Sequence, residues 1–339
     1  MGGKEASFVE RAWGVLAGCA VGDAMGMPTE MMSREDIAEL FPDGVRELSA
    51  STACDAFGRK LRAGEITDDT VNTVLVARCL VESGGAINAR AYIDHLESWV
   101  DEHRETSRSV VGPNTMRALS AIKEGAPLER AGIFGTTNGG AMKISPVGIV
   151  RDYHDLADLV DAVEQVCLPT HNTGAAIACA SAVAAAVSCA VRGRGDAGEL
   201  WDVALAAAEM GERRGYAFPC ASVTGRMRAV RDLVEHEPAQ EALRQLQEFY
   251  GMGVESVETA PAVLAVVTLA GGDPWEAACL AAGSGGDTDT IGAIATAICG
   301  GLNPCQVPRE VVATIEDVNE LDLGEIGRAS CRERVSSPV

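Results

Sequence analysis

Apolar residues recur at helical spacing along almost the whole chain, and no stretch shows the apolar and polar alternation of a strand bounded by turns. Clusters of Gly, Pro, Asp and Asn separate the periodic segments and mark their ends. Aromatic residues make up only 4% of the 339 residues, so small and medium side chains must fill the core. Such side chains suit closely packed helices better than sandwich strands. The pattern therefore predicts an all-α protein.

Thirteen segments are predicted as helices. They span residues 8–25, 67–83, 86–103, 113–124, 155–167, 172–192, 200–213, 223–235, 239–250, 260–269, 274–282, 289–299 and 309–320. No long linker and no fixed-period repeat interrupts the series. We therefore expect a single domain over residues 7–325.

The C-terminal segment is treated separately. The ten residues 326–335, Ile-Gly-Arg-Ala-Ser-Cys-Arg-Glu-Arg-Val, resemble the translation of a short-read sequencing adapter. We therefore expect residues 326–339 to be a non-native read-through tail that lies outside the domain. A sequence never selected to pack should make no stable contacts from about Gly327 onward.

Charge and cysteine usage restrict the cellular setting. The net charge of −21 excludes a generic nucleic-acid binder, because such a surface repels a phosphate backbone. The eleven cysteines include no Cys-x-x-Cys pair, which favours buried thiols in a reducing cytoplasm. The uncharged segment 174–191 is rich in Ala, Ser and Cys, so we expect a buried core helix and not a membrane span. The sequence thus predicts a cytoplasmic protein without a membrane partner.

Two acidic stretches open predicted helices, namely Thr67-Asp68-Asp69-Thr70 and Asp287-Thr288-Asp289-Thr290. The first could simply be an N-cap with two carboxylates that complement the helix dipole. The second follows two glycines and places two carboxylates and a hydroxyl on one turn, a donor set that suits a hard cation. If the two helix starts converge, only bound cations make the crowding of four Asp carboxylates tolerable.

Three further stretches are too polar or too rich in Gly for a core. They are residues 22–30, residues 112–115 and residues 138–143. Gly-rich turns that open helices can bind phosphates through backbone N–H groups. These stretches are therefore candidates for contacts with an anionic ligand.

Taken together, these motifs resemble the ADP-ribosylglycohydrolase family, which includes the dinitrogenase-reductase-activating glycohydrolases. The resemblance rests, in chain order, on Gly14, Gly18, the run Gly22-Asp23-Ala24 with Gly26, Pro28 and Glu30, then Thr67-Asp68-Asp69-Thr70, Asn138-Gly139-Gly140-Ala141-Met142, Thr170-His171, and the run from Gly285 to Gly292. It covers residues 11–319. It implies a single orthogonal multi-helix domain with two divalent cations, Mg or Mn. The implied reaction is hydrolysis of the C1″ glycosidic bond between ADP-ribose and an acceptor, on an ADP-ribosylated protein or a smaller ADP-ribosyl or ribosyl substrate.

The resemblance also assigns residues. The implied metal ligands are Thr67, Asp68, Asp69, Asp287, Asp289 and Thr290, with Glu30 as a further ligand or a gate. The implied substrate contacts are Asn138, Gly139, Gly140 and Ala141 along the diphosphate and ribose, Gly112, Asn114 and Thr115 on the adenosine side, and His171 in the pocket. Asp69 or Asp289 would remove a proton from the attacking water, and Glu30 would act as the acid or guard the metals.

Several alternatives stay open at this stage. His171 is as well explained as a core or helix-cap histidine, and Asp23 as a structural carboxylate at a helix end. The chain has Thr137 and Lys143 where the family more often has Gly and Arg, and Lys lacks the bidentate fork that binds phosphate. The substrate could instead be a nucleoside or another small N-riboside. An inactive binding or structural relative is a further alternative, although every expected carboxylate is present.

Overall fold

A computed structural model describes residues 6–103, 107, 111–193 and 196–333. Over these residues the protein consists of seventeen α-helices without a named strand, so the prediction of an all-α fold is confirmed. The helices are α1 (Phe8–Gly26), α2 (Arg34–Leu40), α3 (Asp68–Glu82), α4 (Ala89–Glu102), α5 (Pro113–Lys123), α6 (Leu128–Ala131), α7 (Ser145–Val150), α8 (Leu156–Cys167), α9 (Gly174–Val191), α10 (Ala197–Gly211), α11 (Val223–His236), α12 (Ala239–Gln245), α13 (Ser256–Leu269), α14 (Pro274–Ala282), α15 (Thr288–Leu302), α16 (Arg309–Asn319) and α17 (Leu323–Arg332).

Helices α1 and α15 form the closest pair in the fold and run antiparallel. Four glycines spaced four residues apart on α1, Gly14, Gly18, Gly22 and Gly26, lie against the backbone of α15. A Cβ atom at any of them would come within 2.0 to 2.3 Å of a carbonyl oxygen of the opposing helix. Side chains at this seam would therefore force the helices apart. The close packing brings the end of α1 to the start of α15.

Helix α9 is the central helix of the core. It is long and apolar enough to cross a membrane, but its residues are buried among α7, α8, α10 and α13. The prediction of a core helix over this segment is confirmed. Seven of the eleven cysteines are also buried, and all eleven are free thiols. The buried thiols fill space between helices, as small apolar side chains do.

Some boundaries differ from the sequence-based predictions. Helices α2, α6 and α7 were not predicted, because each of them is short. Helix α7 also contains Pro146 and β-branched residues, which have low helix propensity. Helix α7 forms because all six of its residues are buried against neighbouring helices. The segment predicted as one helix over residues 239–250 is α-helical only to Gln245 and continues as a π-helical turn, Leu246–Tyr250.

The C-terminal helix crosses the domain boundary that we expected at residue 325. Helix α17 packs against α1 and α3, and both Gly327 and Ser330 are buried. A Cβ atom on Gly327 would lie 3.4 Å from Cα of Trp13. The expectation that the chain makes no stable contacts beyond Gly327 is therefore wrong as far as residue 333. Residues 334–339 lie outside the described part of the chain.

Candidate metal centre

The buried side chain of Asp23, near the end of α1, holds the start of α3. Its carboxylate accepts hydrogen bonds from the backbone N–H groups of Thr67 and Thr70, at 3.0 and 3.1 Å. It also accepts from both threonine hydroxyls, from Thr67 at 2.9 Å and from Thr70 at 2.5 Å. These are donors that the first turn of α3 would otherwise leave without a partner. Asp23 therefore anchors α3 to α1, which favours the structural interpretation of this residue.

Acidic side chains from three segments gather at this end of the α1 and α15 pair. We call them the carboxylate cluster: Glu30, Asp68, Asp69, Asp287 and Asp289. Glu30, Asp287 and Asp289 each offer an oxygen, and these atoms lie within 4.8 Å of one another. The hydroxyl of Thr290 donates to Oδ2 of Asp69 at 3.3 Å, which connects the start of α15 to the start of α3. The predicted convergence of the two acidic stretches is therefore present.

Burial and mutual repulsion both disfavour ionisation in the carboxylate cluster. Burial, with a contribution from Glu30, raises the pKa of Asp68 to about 8 and that of Asp287 to about 6. The pKa values of Asp69 and Asp289 also rise, first through burial and then through the charges of neighbouring carboxylates. The positive ends of α3 and α15 offset part of this cost. A cation close to these oxygens would favour their ionised forms.

One cationic side chain already reaches the cluster. The guanidinium of Arg59 contacts Glu30 at 2.6 Å and Asp55 at 2.8 Å, and it lies 4.0 Å from Asp289. Asp55 shapes the turn that presents it, since Oδ1 of Asp55 accepts from the backbone N–H of Phe57 at 3.0 Å and of Arg59 at 2.8 Å. Sequence reasoning missed Arg59. The excess of acidic side chains predicts a basic partner, but no local sequence pattern indicates which Lys or Arg residue this is.

The predicted substrate contacts divide into two groups. Gly112, at the start of α5, donates its N–H to Asp68 at 3.4 Å. Asn138 donates to an oxygen of Asp287 and to the hydroxyl of Thr259, the latter at 3.0 Å, so it orients a cluster carboxylate. Asn114 donates to the hydroxyl of Thr137 at 3.0 Å. These three residues border the carboxylate cluster.

Other predicted contacts point into the protein. Ala141 is fully buried in the hydrophobic core and its N–H donates to the carbonyl of Asn138 at 2.7 Å, so neither group is available to a ligand. Thr115 is buried within α5. A Cβ atom on Gly139 would lie 2.6 Å from the ring of His171, and one on Gly140 would lie 2.9 Å from the sulfur of Cys167. These two glycines are thus required by packing, and a Gly140→Val substitution would disturb the core before it touched a ligand.

His171 is buried and makes two hydrogen bonds. Its Nδ1 lies 2.8 Å from the hydroxyl of Thr170, and its Nε2 lies 3.1 Å from the hydroxyl of Thr137. Burial lowers the pKa of His171, so the ring is neutral. The interpretation of His171 as a histidine with satisfied hydrogen bonds is supported, although Thr137 connects it to the edge of the cluster.

The donor set fits hard divalent cations. It consists of oxygens only, and several of its carboxylates are buried with one guanidinium to balance them. Oδ1 of Asp69 is buried without a hydrogen-bond partner among the described residues. A buried carboxylate oxygen without a donor is costly, and a bound cation would satisfy it. The residues that would hold such cations are Glu30, Thr67, Asp68, Asp69, Asp287, Asp289 and Thr290.

Comparison with known proteins gives a consistent result. The family model described as ADP-ribosylglycohydrolase matches residues 4–334. The "Uncharacterized protein YegU" of Escherichia coli (strain K12) is 34% identical over 96% of this chain and 97% of its own length. The ADP-ribosyl-[dinitrogen reductase] glycohydrolase of Rhodospirillum rubrum is 29% identical over 49% of this chain and 53% of its own.

The fold also has a solved counterpart. A structure titled "ADP-ribosylglycohydrolase-related protein complex" superposes with a TM-score of 0.68 and 22% identity, over 97% of this chain and 99% of the other. The family match spans nearly the whole chain, including the acidic stretches at the starts of α3 and α15. The chain therefore belongs to the ADP-ribosylglycohydrolase family.

Proposed function

We propose that this protein is a metal-dependent hydrolase that cleaves the C1″ glycosidic bond of ADP-ribosyl conjugates. The observation that carries the proposal is the contact between the starts of α3 and α15, where the Thr290 hydroxyl reaches Asp69. It unites the two acidic stretches into one oxygen-lined cluster. Family membership supports the reaction class, and the donor set supports two divalent cations, Mg or Mn.

When bound, the cations would stabilise negative charge and lower the pKa of a water molecule. The protein's own residues divide the remaining tasks. Asp69 or Asp289 accepts the proton of the attacking water, because each is a buried carboxylate within the cluster. Asn138 holds Asp287 in place, and Asp23 holds the first turn of α3. Glu30 pairs with Arg59 as a carboxylate, which suits a ligand or gate better than a proton donor.

A second feature favours an ADP-ribosyl substrate over a small riboside. The ring of Phe134 is 54% exposed, and the guanidinium of Arg117 lies 5.7 Å from its centroid. Arg117 also donates to Asn114 at 2.8 Å, which places this pair on the side of the cluster bordered by α5. An exposed aromatic ring beside a cation offers stacking for a nucleobase and charge for a diphosphate. A nucleoside that ends at C5 of its ribose would not need the cation.

A turnover screen tests the proposal. ADP-ribosyl-arginine, ADP-ribosyl-serine and nucleosides are each incubated with the protein and Mg²⁺ or Mn²⁺, with EDTA as the metal-free control. We expect release of ADP-ribose, lost in EDTA and reduced at least a hundredfold in Asp289→Asn, as is typical when charge stabilisation at a reacting centre is removed. Asp232→Asn, which removes an exposed carboxylate of α11, is the matched control. Turnover of nucleosides alone would show the smaller substrate class, and activity in EDTA would overturn the metal requirement.

A further inference from the structure

Four polar side chains form a continuous chain of hydrogen bonds beside the carboxylate cluster. Nζ of Lys143 donates to the hydroxyl oxygen of Thr170 at 3.1 Å. That hydroxyl lies 2.8 Å from Nδ1 of His171, whose Nε2 lies 3.1 Å from the hydroxyl of Thr137. We call these residues the relay. Its two ends are Lys143 and Thr137.

The relay is buried at one end and open at the other. Lys143, Thr170 and His171 are at most 1% exposed, whereas Thr137 is half-buried. The ammonium group of Lys143 lies 4.7 Å from the centroid of the Tyr92 ring, which compensates part of its lost hydration. Burial lowers the pKa of Lys143 to about 8. No phosphate can reach this amine, so its role is exerted through its neighbours.

The direction of the hydrogen bonds follows from counting donors and acceptors. An ammonium group only donates, so the oxygen of Thr170 accepts from Lys143. Among the described residues, Nδ1 of His171 is the acceptor that the Thr170 hydrogen has within reach. The neutral ring then carries its proton on Nε2 and donates it to Thr137. The reverse direction would leave the buried Thr170 hydrogen without an acceptor, which is costly.

The same count of donors and acceptors leaves the hydroxyl hydrogen of Thr137, at the open end of the relay, without an acceptor among the described residues. The oxygen of Thr137 accepts from His171 and also from Nδ2 of Asn114. Its lone pairs are therefore used, and its own hydrogen is available to an outside acceptor. Thr137 directly precedes Asn138, which contacts Asp287. Thr137 is also hydrogen-bonded to Asn114 in the first turn of α5, and the start of α5 contacts Asp68. The free hydrogen thus lies at the edge of the carboxylate cluster.

We propose that Lys143 and Thr170 hold His171 in its Nε2–H form, so that the Thr137 hydroxyl is a fixed donor to a phosphoryl oxygen of the bound ligand. The ligand part of this inference rests on the proposed function. Thr137 is a specificity residue, and Lys143, Thr170 and His171 are positioning residues. The relay thus presents a neutral hydroxyl donor near the surface, while the basic side chain of Lys143 stays buried.

The protonation state of His171 tests the relay without reference to activity. Long-range ¹H–¹⁵N correlation spectra of histidine-labelled protein distinguish the two neutral forms, and loss of one signal set in His171→Gln assigns the residue. We expect the Nε2–H form in the wild type, a mixture or the Nδ1–H form in Thr170→Val and Lys143→Met, and recovery in Thr170→Ser. Circular dichroism confirms that each variant is folded. An Nδ1–H ring in the wild type, or an unchanged ring in both folded variants, would overturn the relay.

Binding of ADP-ribose, measured by calorimetry, tests the donor at the open end. Thr137→Val keeps the shape of the side chain but removes the hydroxyl, and we expect roughly tenfold weaker binding, as for loss of one hydrogen bond to a charged group. Thr137→Ser retains the donor and should bind within about twofold of the wild type. Equal affinity in the Val variant would contradict the assignment of Thr137. Absence of ADP-ribose binding to the wild type would count against the proposed function instead, while the spectra still decide the relay.

Discussion

The guanidinium of Arg59 lies 2.6 Å from a carboxylate oxygen of Glu30, and the two side chains are only 3% and 10% exposed. The pair stands between the turn built on Asp55 and the start of α15, 4.0 Å from Asp289. Arg59 thus occupies a position from which it neutralises the carboxylates that would also bind a cation. The guanidinium of Arg59 and a bound cation would therefore compete for the same carboxylates.

Substitution Arg59→Met tests this competition. Removal of the buried partner leaves Glu30 uncompensated, so we expect the metal-free protein to lose about 3 kcal/mol of unfolding free energy. We also expect Mn²⁺ to bind about tenfold more tightly, because a positive charge close to the site has been removed. Calorimetric titration with MnCl₂ and thermal melts in EDTA measure both effects.

The matched control is Arg46→Met, since Arg46 pairs with Glu276 at 2.8 Å but is 56% exposed. It should change stability and metal affinity little, as is usual for surface ion pairs. Weaker Mn²⁺ binding in Arg59→Met would show the opposite role, in which Arg59 holds Glu30 ready as a ligand.

The stability of the metal-free protein should fall as the pH rises. In the folded state the pKa values of Asp287 and Asp68 are raised to about 6 and about 8, whereas unfolded carboxyls titrate near 4. The folded state therefore binds more protons than the unfolded state over this range, and its stability declines as the pH rises from about 4 through 8. Melting temperatures in EDTA between pH 5 and 8.5 measure this decline. Mg²⁺ or Mn²⁺ should reverse it, because cations replace the protons.

Overall charge also contributes to this pH dependence, because the net charge of −21 repels itself more strongly as further groups ionise. The comparison of Asp287→Asn with Asp232→Asn separates the two effects, since each removes one negative charge but only Asp287 is buried. The Asp287 variant should show the smaller decline. Equal declines in both variants would assign the effect to net charge alone.

Asp23 lies behind the carboxylate cluster, but we expect its substitution to lower both the stability of the protein and its affinity for Mn²⁺. In Asp23→Asn, one oxygen becomes an amide that cannot accept from the N–H and hydroxyl of Thr70, so buried donors lose their partner. We expect about 2 kcal/mol of lost stability and weaker Mn²⁺ binding, because the start of α3 carries Asp68 and Asp69. Thr70→Val removes one of these donors and leaves the acceptors intact, so it should cost less. Urea denaturation measures both, and equal losses would contradict the anchoring role.

The sequence could predict those parts of the structure that depend on local pattern. Periodicity predicted helices such as α1, α3 and α15, and the acidic residues at the starts of α3 and α15 predicted the carboxylate cluster. The glycines of α1 were visible as a motif, but that they contact α15 depends on a helix more than 250 residues away. The contact of Arg59 with the cluster could not be predicted, since it depends on the fold of a turn outside the acidic stretches. The burial of Ala141 could not be predicted either, since it depends on the helices that pack around it.

The last prediction concerns the C-terminal helix. Truncation after Glu325 would remove most of α17, in which Ser330 is fully buried and Ile326 packs against the core. Ile326 is half-buried, so loss of its packing alone costs about 1 kcal/mol, which corresponds to a fall of roughly 2 °C in melting temperature for a domain of this length. Truncation after Glu333, which keeps α17 intact, is the control and should leave the melting temperature unchanged. If both truncated proteins melt like the full chain, the helix contributes nothing to stability, as expected of a segment that was never selected to pack.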